Sequence, residues 1–554
     1  MVSGIPKKFF YFLAALLAIN IIQSNFTELI FDEAYYWYYS QNMAWGYFDH
    51  PPMVALLIKL SSFFFKGELG VRFMSCLLGL GTLLVLWLSV DHPKKNASIP
   101  QFFVLVFSMT LMNAYGFLTL PDTPLLFFTA LFLLVYKKFI ASATLPITLL
   151  LGVVMAALMY SKYHAVLVIV FVLLSNIKII KNKYAWLAVG IALLCYSPHL
   201  YWLFEHDFVS IKYHIYERPN GAYNFSKYTL GFFVNLIAVF GFTFPLVYYI
   251  LAKTKAKNLF TKALLFLTYG VLIFFFVSSF NRRIQTQWVI LICIPLAIIV
   301  FDYMLSNKNS MKWIFRLGLL NSIIILYLRF GLVYQPLLFN KFYETHGNKN
   351  WVQQIKNKVG STPVVFENSY RNAPMYAFYS GETSFSLNNV YYRKNQYSID
   401  QSEDRFRHKK VLFVHKLRKE GTFHYTKTDG GVYYADFIDD FKPYRKLETE
   451  LLTFNKSKDL SQLAVYNPYT DSIPMRNLNF AVAYLDRYKK VKQLTSIPIT
   501  TLNKKTSFLI PKDTTLLQLP KLPLPNLNIA YVRIVISENK LYFGLNGKPK
   551  PLNK

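Results

Sequence analysis

Along the first 336 positions apolar residues arrive in blocks, not at the spacing of an amphipathic helix or strand. The stretches 9–23, 73–90, 101–118, 124–136, 146–160, 165–177, 185–203, 230–252, 263–280, 288–304 and 313–336 are nearly free of charge. Several fall short of the roughly 20 residues that cross a bilayer comfortably, which implies tilting and local thinning. Taken alone, 124–136 and 165–177 are ambiguous; the alternating series needs both. The pattern predicts a polytopic α-helical membrane protein with about eleven transmembrane helices.

Near 339–351 the pattern changes. Long apolar runs vanish, and polar residues, Tyr and β-branched residues alternate. The expected division is a membrane domain at 1–337 and a soluble domain at 338–554. Within the latter, 362–367 reads as a strand, 371–379 as a helix stopping at Gly381, and 411–414 as a further strand. Short strand candidates follow at 432–437, 463–466 and 531–536, with Pro-rich punctuation at 518–525. The expectation is an α/β portion followed by a β-rich one.

Charge placement sets the expected orientation. With the N-terminus inside, the inner loops carry Lys7–Lys8, Lys94–Lys95, Lys137–Lys138, Lys178/Lys181/Lys183, Lys253/Lys255/Lys257 and Lys308/Lys312. The outer loops carry Asp32–Glu33, Asp49, Asp122 and Glu205/Asp207. Eleven spans keep these charges sorted and put the soluble domain on the non-cytoplasmic side. The first apolar stretch lacks a convincing cleavage site and reads as a retained helix.

Composition agrees. Of 554 residues, 54% are apolar and only 16% charged, too few charges for a soluble enzyme of this length. Inner-loop lysines explain much of the net charge of +31, and the rest is scattered over the C-terminal domain. No basic run interleaved with aromatics suggests a nucleic-acid groove. Anionic headgroups or an anionic lipid-linked substrate are the more economical partners. Cys76, Cys195 and Cys293 lie inside apolar stretches, so no disulfide framework or metal-type spacing is indicated.

Candidate chemistry clusters in the outer loops. Asp32 and Glu33 follow the first span within about two helical turns and open an aromatic segment suited to the headgroup region. Adjacent carboxylates beside a membrane are costly if both are desolvated, so at least one needs a partner. As ordinary loop acids they would need no further explanation, but the next motif adds to them. Gly46-Tyr-Phe-Asp-His-Pro-Pro52 adds Asp49 and His50 beside a rigid Pro pair. Leu120-Pro-Asp-Thr-Pro124 supplies Asp122, which alone would read as a helix N-cap.

In this order, Asp-Glu-Ala-Tyr-Tyr-Trp, Gly-Tyr-Phe-Asp-His-Pro-Pro, Pro-Asp-Thr-Pro-Leu, Ser161-Lys-Tyr163 and the segment 197–210 resemble the GT-C superfamily of membrane glycosyltransferases. The likeness is to their bacterial protein-O-mannosyltransferase and aminoarabinose-transferase branch, over roughly residues 30–215. It implies sugar transfer from a polyprenyl-phosphate donor to a lipid, glycan or protein hydroxyl at the outer face of a bacterial inner membrane, with inversion. By residue match, Asp32 is the base, Glu33 supports it, and Asp122 is a second acidic site.

Lys162 would clamp the donor phosphate, with a snorkelling lysine as the plain alternative. Tyr163, Asp49, His50, Arg72 and Arg218 complete the expected substrate contacts, while Arg282–Arg283 read as a helix-end flank. No cofactor is required by this reading. A divalent metal is left open, because some aminoarabinose-type relatives carry one and His206 could belong to it. For each of His50, His199, His206 and His214 a satisfied loop histidine is the stronger reading. The competing class is a transporter or flippase for a lipid-linked sugar, which should show ionisable residues or broken helices near the bilayer midplane. The acids cluster at one face instead.

Overall fold

The computed structural model describes residues 4–552 apart from 218–220, 340, 417, 454–459, 502–506, 523, 524, 526 and 539–540. The chain divides into two compact units. One is Met1–Ile211 with Gly221–His346; the other is Gly347–Lys554 with Lys212–Asn220.

The first unit is helical. Among the described residues, eight helices are long and apolar enough to cross a membrane: Lys7–Phe26, Gly67–Ser89, Asp122–Ala141, Lys183–Glu205, Ser226–Lys253, Leu259–Ser278, Thr286–Ser306 and Lys308–Val333. A helix that is apolar all round must sit in a core or in lipid, and both cases occur. Thr286–Ser306 is 83% buried and forms the centre, while Lys7–Phe26 is only 22% buried. Large apolar side chains such as Tyr11, Phe26, Leu194 and Phe330 are exposed on the bundle surface, as lipid contact requires.

A count of eleven spans is not established. The expected stretches 146–160 and 165–177 appear as the shorter apolar helices Leu145–Ser161 and Ala165–Ser175. Met53–Phe64 is a short apolar helix that the charge-free series did not include. The stretch 101–118 is broken into Ile99–Phe107 and Thr110–Ala114. Its two ends still run along Lys7–Phe26. Phe103 packs on Phe9 at 5.1 Å near the start, and Gly116 O accepts from Asn20 Nδ2 at 3.0 Å near the end.

The break has a physical partner. Asn321 Nδ2 donates to Ser108 O at 2.5 Å, supplying a donor to a carbonyl that the interrupted helix leaves over. Gly241, with φ of +53°, marks a second interruption after Gly231–Phe240 and abuts the same asparagine. A Cβ there would meet Asn321 Oδ1 at 2.3 Å, so the site needs glycine for both its φ and its space.

The second unit begins with helix Asn348–Val359 and a five-stranded sheet. Val364–Glu367 is flanked by Ser384–Leu387 and Lys409–Val414, both parallel to it. Val432–Phe441 and Phe423–Thr426 extend the sheet antiparallel. Val364–Glu367 is buried throughout, as expected of a strand inside a parallel arrangement. Asn372–Ser380 ends at Gly381 in the left-handed conformation, where the sequence placed its stop.

The remainder is β-rich. Leu478–Leu485 lies between Val491–Ile497 and Tyr531–Glu538, and a second four-stranded sheet contains Glu448–Thr453, Leu460–Tyr466, Thr514–Pro520 and Thr500–Thr501. Alternation along Leu478–Leu485 serves two cores. Phe480, Val482 and Tyr484 join one, while Ala481, Ala483 and Leu485 join another that includes Val390 of the α/β portion.

A buried ionisable cluster joins these two portions. Tyr469 Oη donates to Glu403 Oε1 at 2.5 Å, and the Arg445 backbone N–H donates to the same oxygen at 3.2 Å. Arg445 Nε stands 3.2 Å from Glu538 Oε1. Burial pushes the Glu403 carboxyl up to about 7, with Glu538 adding to the rise and Tyr469, Lys446 and Arg445 only partly offsetting it. A carboxyl raised in the folded state stabilises fully below its unfolded value of 4.5, and that contribution is lost as pH rises through about 7. Glu403→Gln should therefore melt above the wild type at pH 8 and level with it at pH 5, by a few kcal/mol at most. Thermal unfolding of the full chain at the two pH values checks this.

Candidate active site

Glu33, Arg72 and the turn before Asp122 meet where Lys7–Phe26 ends and Asp122–Ala141 begins. Helix Phe31–Gln41 starts with Asp32 and Glu33 in its first turn, which suits the positive end of a helix dipole. Two carboxylates supply its opening N–H groups. Glu33 Oε2 accepts from Ile30 N at 3.2 Å, and Glu344 Oε2 accepts from Phe31 N at 3.3 Å.

Glu33 is fully buried, and its partner is Arg72 on Gly67–Ser89. Arg72 Nε donates to Oε1 at 2.8 Å and Nη2 to Oε2 at 2.5 Å, a two-pronged ion pair. The remaining donors reach Ser24 O, Thr27 O and Glu28 O at 3.1, 2.6 and 3.0 Å. Thr119 N adds a bond to Glu33 Oε1 at 2.9 Å. One buried pair thus joins the end of the first helix, the start of the second, Gly67–Ser89 and the 115–121 turn. Expected as a substrate contact, Arg72 instead has all its N–H donors engaged inside the chain.

Asp122 and Lys162 make a second buried pair. Lys162 Nζ lies 2.7 and 2.9 Å from the two Asp122 oxygens, with both side chains nearly fully enclosed. Lys162 follows the last residue of Leu145–Ser161, so the pair ties that helix end to the first turn of Asp122–Ala141. Asp32, in contrast, is half-buried. The fields of Asp32 and Asp122 both reach Tyr115, and those of Asp32 and Glu33 reach Tyr343. Thr119, which donates to Glu33, lies three residues before Asp122, so the segments carrying the three acids meet.

The 42–52 loop closes another side. His50 packs edge-on against Tyr36 at 5.6 Å, one helical turn from Asp32. Asp49 is buried within electrostatic reach of Tyr39 and Tyr163. Tyr47 stacks on Tyr39 at 4.2 Å, and its hydroxyl donates to Tyr39 O at 3.0 Å.

His199, on Lys183–Glu205, anchors the loop from below. Its Nδ1 is 2.6 Å from Trp45 O, an acceptor, so Nδ1 carries the proton. Nε2 then accepts from Tyr163 Oη at 3.2 Å. Gly46 lies so close to the Trp202 indole that a Cβ would sit 2.3 Å from the ring.

Asp32, Glu33, Asp49, His50, Arg72, Asp122, Lys162 and Tyr163 are thus drawn into one region. Arg218 lies outside the described residues. Sequence reasoning read His199 as a satisfied histidine without naming its partners, Trp45 O and Tyr163 Oη, and it did not pair Glu33 with Arg72 or Asp122 with Lys162. A basic residue in an otherwise acidic loop set was the available signal, but not its partner. No group of three or more His, Cys, Asp or Glu placed to hold a metal occurs among the described residues.

The family model described as dolichyl-phosphate-mannose-protein mannosyltransferase matches residues 49–202. The lipid A galacturonosyltransferase RgtD of Rhizobium johnstonii is 26% identical over 210 residues. That match covers 35% of this chain and 43% of the relative, less than half its length. Crystal structures of ArnT from Cupriavidus metallidurans, apo and bound to undecaprenyl phosphate, each superpose with a TM-score of 0.53. They cover 73% of this chain and 92% of ArnT, at 11 and 12% identity. The chain shares the fold of the ArnT structures, and residues 49–202 are similar to the mannosyltransferase family. Its long apolar helices are those of a multi-pass membrane protein.

Proposed function

We propose that this chain is a glycosyltransferase that moves a sugar from a polyprenyl-phosphate donor to a hydroxyl of a lipid, glycan or protein acceptor. The carrying observation is the division of labour among three acids. Glu33 is committed to Arg72 and Asp122 to Lys162, while half-buried Asp32 stands beside them at a helix N-terminus. The ArnT fold bound to undecaprenyl phosphate and the family named for dolichyl-phosphate-mannose support the donor class. RgtD, named for lipid A, supports a lipid acceptor.

The chemistry needs one base. Asp32 takes the acceptor hydroxyl proton as that oxygen bonds to the anomeric carbon, and the bond to phosphate oxygen breaks. Polyprenyl phosphate leaves with the electron pair and needs no protonation. Backside displacement inverts the anomeric carbon. In this reading Glu33 and Arg72 hold Asp32 in place, Asp122 positions acceptor or loop, and Lys162, Tyr163, Asp49 and His50 surround the donor.

The site belongs on the non-cytoplasmic face, with the N-terminus inside and the 338–554 domain outside. Basic loops on one side and acidic ones on the other support this orientation. A lipid-linked-sugar transporter has in its favour the helix broken at 108–109, but the ionisable groups described above gather at one end.

Purified protein in lipid, given radiolabelled polyprenyl-phosphate sugars and acceptor-containing membrane extract, should consume donor and release polyprenyl phosphate. Label that crosses the bilayer unconverted, across a broad donor panel, would replace this reading with transport.

A further inference from the structure

Arg329, on Lys308–Val333, is 5% exposed, yet among the described residues its side-chain hydrogen bonds go to neutral amides only. Nη2 donates to Asn20 Oδ1 at 2.8 Å, Nη1 to Asn113 Oδ1 at 3.2 Å and Nε to Gln23 Oε1 at 3.3 Å. The guanidinium carbon lies 4.5 Å from the centre of the Phe117 ring. A buried cation without a counter-charge is costly in a membrane bundle, and where one is kept it marks a function by default.

The amides pass the contact onward. Asn20 Nδ2 donates to Gly116 O at 3.0 Å, and Asn113 Nδ2 to Phe107 O at 3.2 Å. Gln23 Nε2 donates to Thr27 Oγ1 at 2.6 Å and to Arg329 O at 3.1 Å. With every amide nitrogen so occupied, each oxygen is fixed toward the guanidinium. A cavity of about 40 Å3, lined by Asn20, Asn113, Tyr115 and Thr123 among others, lies beside the cluster and is large enough for water.

Two segments meet here. Asn20 and Gln23 end the first helix, which leads through Thr27 into Asp32. Asn113 and Gly116 belong to the broken stretch, which leads through Thr119, the donor to Glu33, into Asp122. We propose that Arg329 is a positioning residue for sugar transfer: it clamps these two segments together and so sets the spacing of Asp32 and Asp122. The proposal rests on the transferase reading above. A guanidinium suits the task because its planar fork reaches three oxygens at once, which an ammonium cannot do in fixed directions.

The test uses the full chain in lipid, with Arg329→Met, Asn113→Leu and, as a control on the exposed face of the same helix, Arg316→Met. Arg329→Met should lower kcat about 10²-fold through misplacement of the acids, leaving KM for the donor unchanged. Hydrogen exchange should quicken at 27–33 and 113–121 and stay as in the wild type at 145–175. Asn113→Leu removes one arm and should give the same pattern more weakly, keeping the test open if Arg329→Met does not fold. Arg316→Met should change neither.

A rise in KM alone, exchange that quickens everywhere, or no change in either readout would overturn the proposal. If the wild type turns over no donor, the transferase reading and the kinetic half fall together. The exchange data then still decide whether the clamp exists.

Discussion

Replacing Asp32 by Asn should lower the rate of sugar transfer by about 10²–10⁴-fold, the usual contribution of a general base. Asn matches Asp in size and remains acceptable in the first turn of a helix, so the fold should persist. The helix start is held by Glu33 and Glu344, neither of which this change touches. The measurement is release of polyprenyl phosphate in a single turnover, with donor binding followed separately. Lost turnover with donor binding retained assigns the base. An unchanged rate would remove Asp32 from that role, and Asp122, held by Lys162, would be next to examine.

Arg72→Met should have the largest effect on stability. It leaves the Glu33 carboxylate buried without its cation and strips a donor from three backbone carbonyls. Breaking a buried pair from one side costs about 3–5 kcal/mol. Glu33→Gln made together with Arg72→Met removes the stranded charge while Gln Oε1 can still accept from Thr119 N. The double variant should therefore be milder than the single one, though short of wild type. Thermal unfolding in lipid resolves the three. Were Arg72 a phosphate ligand, the single variant would raise KM for the donor and leave the melting temperature alone.

The membrane fold was legible because apolar blocks without charge need no partner to be recognised. Lys7–Phe26, Gly67–Ser89 and Asp122–Ala141 all contain stretches that the sequence marks. The break at 108–109 was hidden, because the donor that stabilises it is Asn321, 213 positions away. Met53–Phe64 was hidden for another reason: it is short, follows two prolines and contains Lys59. In the soluble unit, Gly381 and the Thr-Pro-Val-Val-Phe-Glu segment at 362–367 identified a helix end and a strand locally.

At the site, the ordered motifs picked out the acids because their spacing is a property of the chain itself. Which cation each acid takes is a property of packing. Arg72 looked like a phosphate contact for its loop position, yet Glu33, 39 residues earlier, claims it. Arg329 drew no notice because it sits inside a stretch read only for its apolar character. Its amide partners lie 216 to 309 positions away.

The strand Leu478–Leu485 carries a consequence for descent. Because its alternate residues belong to two different cores, one of them shared with Val390, the α/β and β-rich portions of the second unit are not separate modules. Exchanging either by recombination would expose half of a central strand and orphan the buried Glu403 from Tyr469. Variation in the second unit would then come from substitutions and loop changes at the surface, with the two portions inherited as one piece.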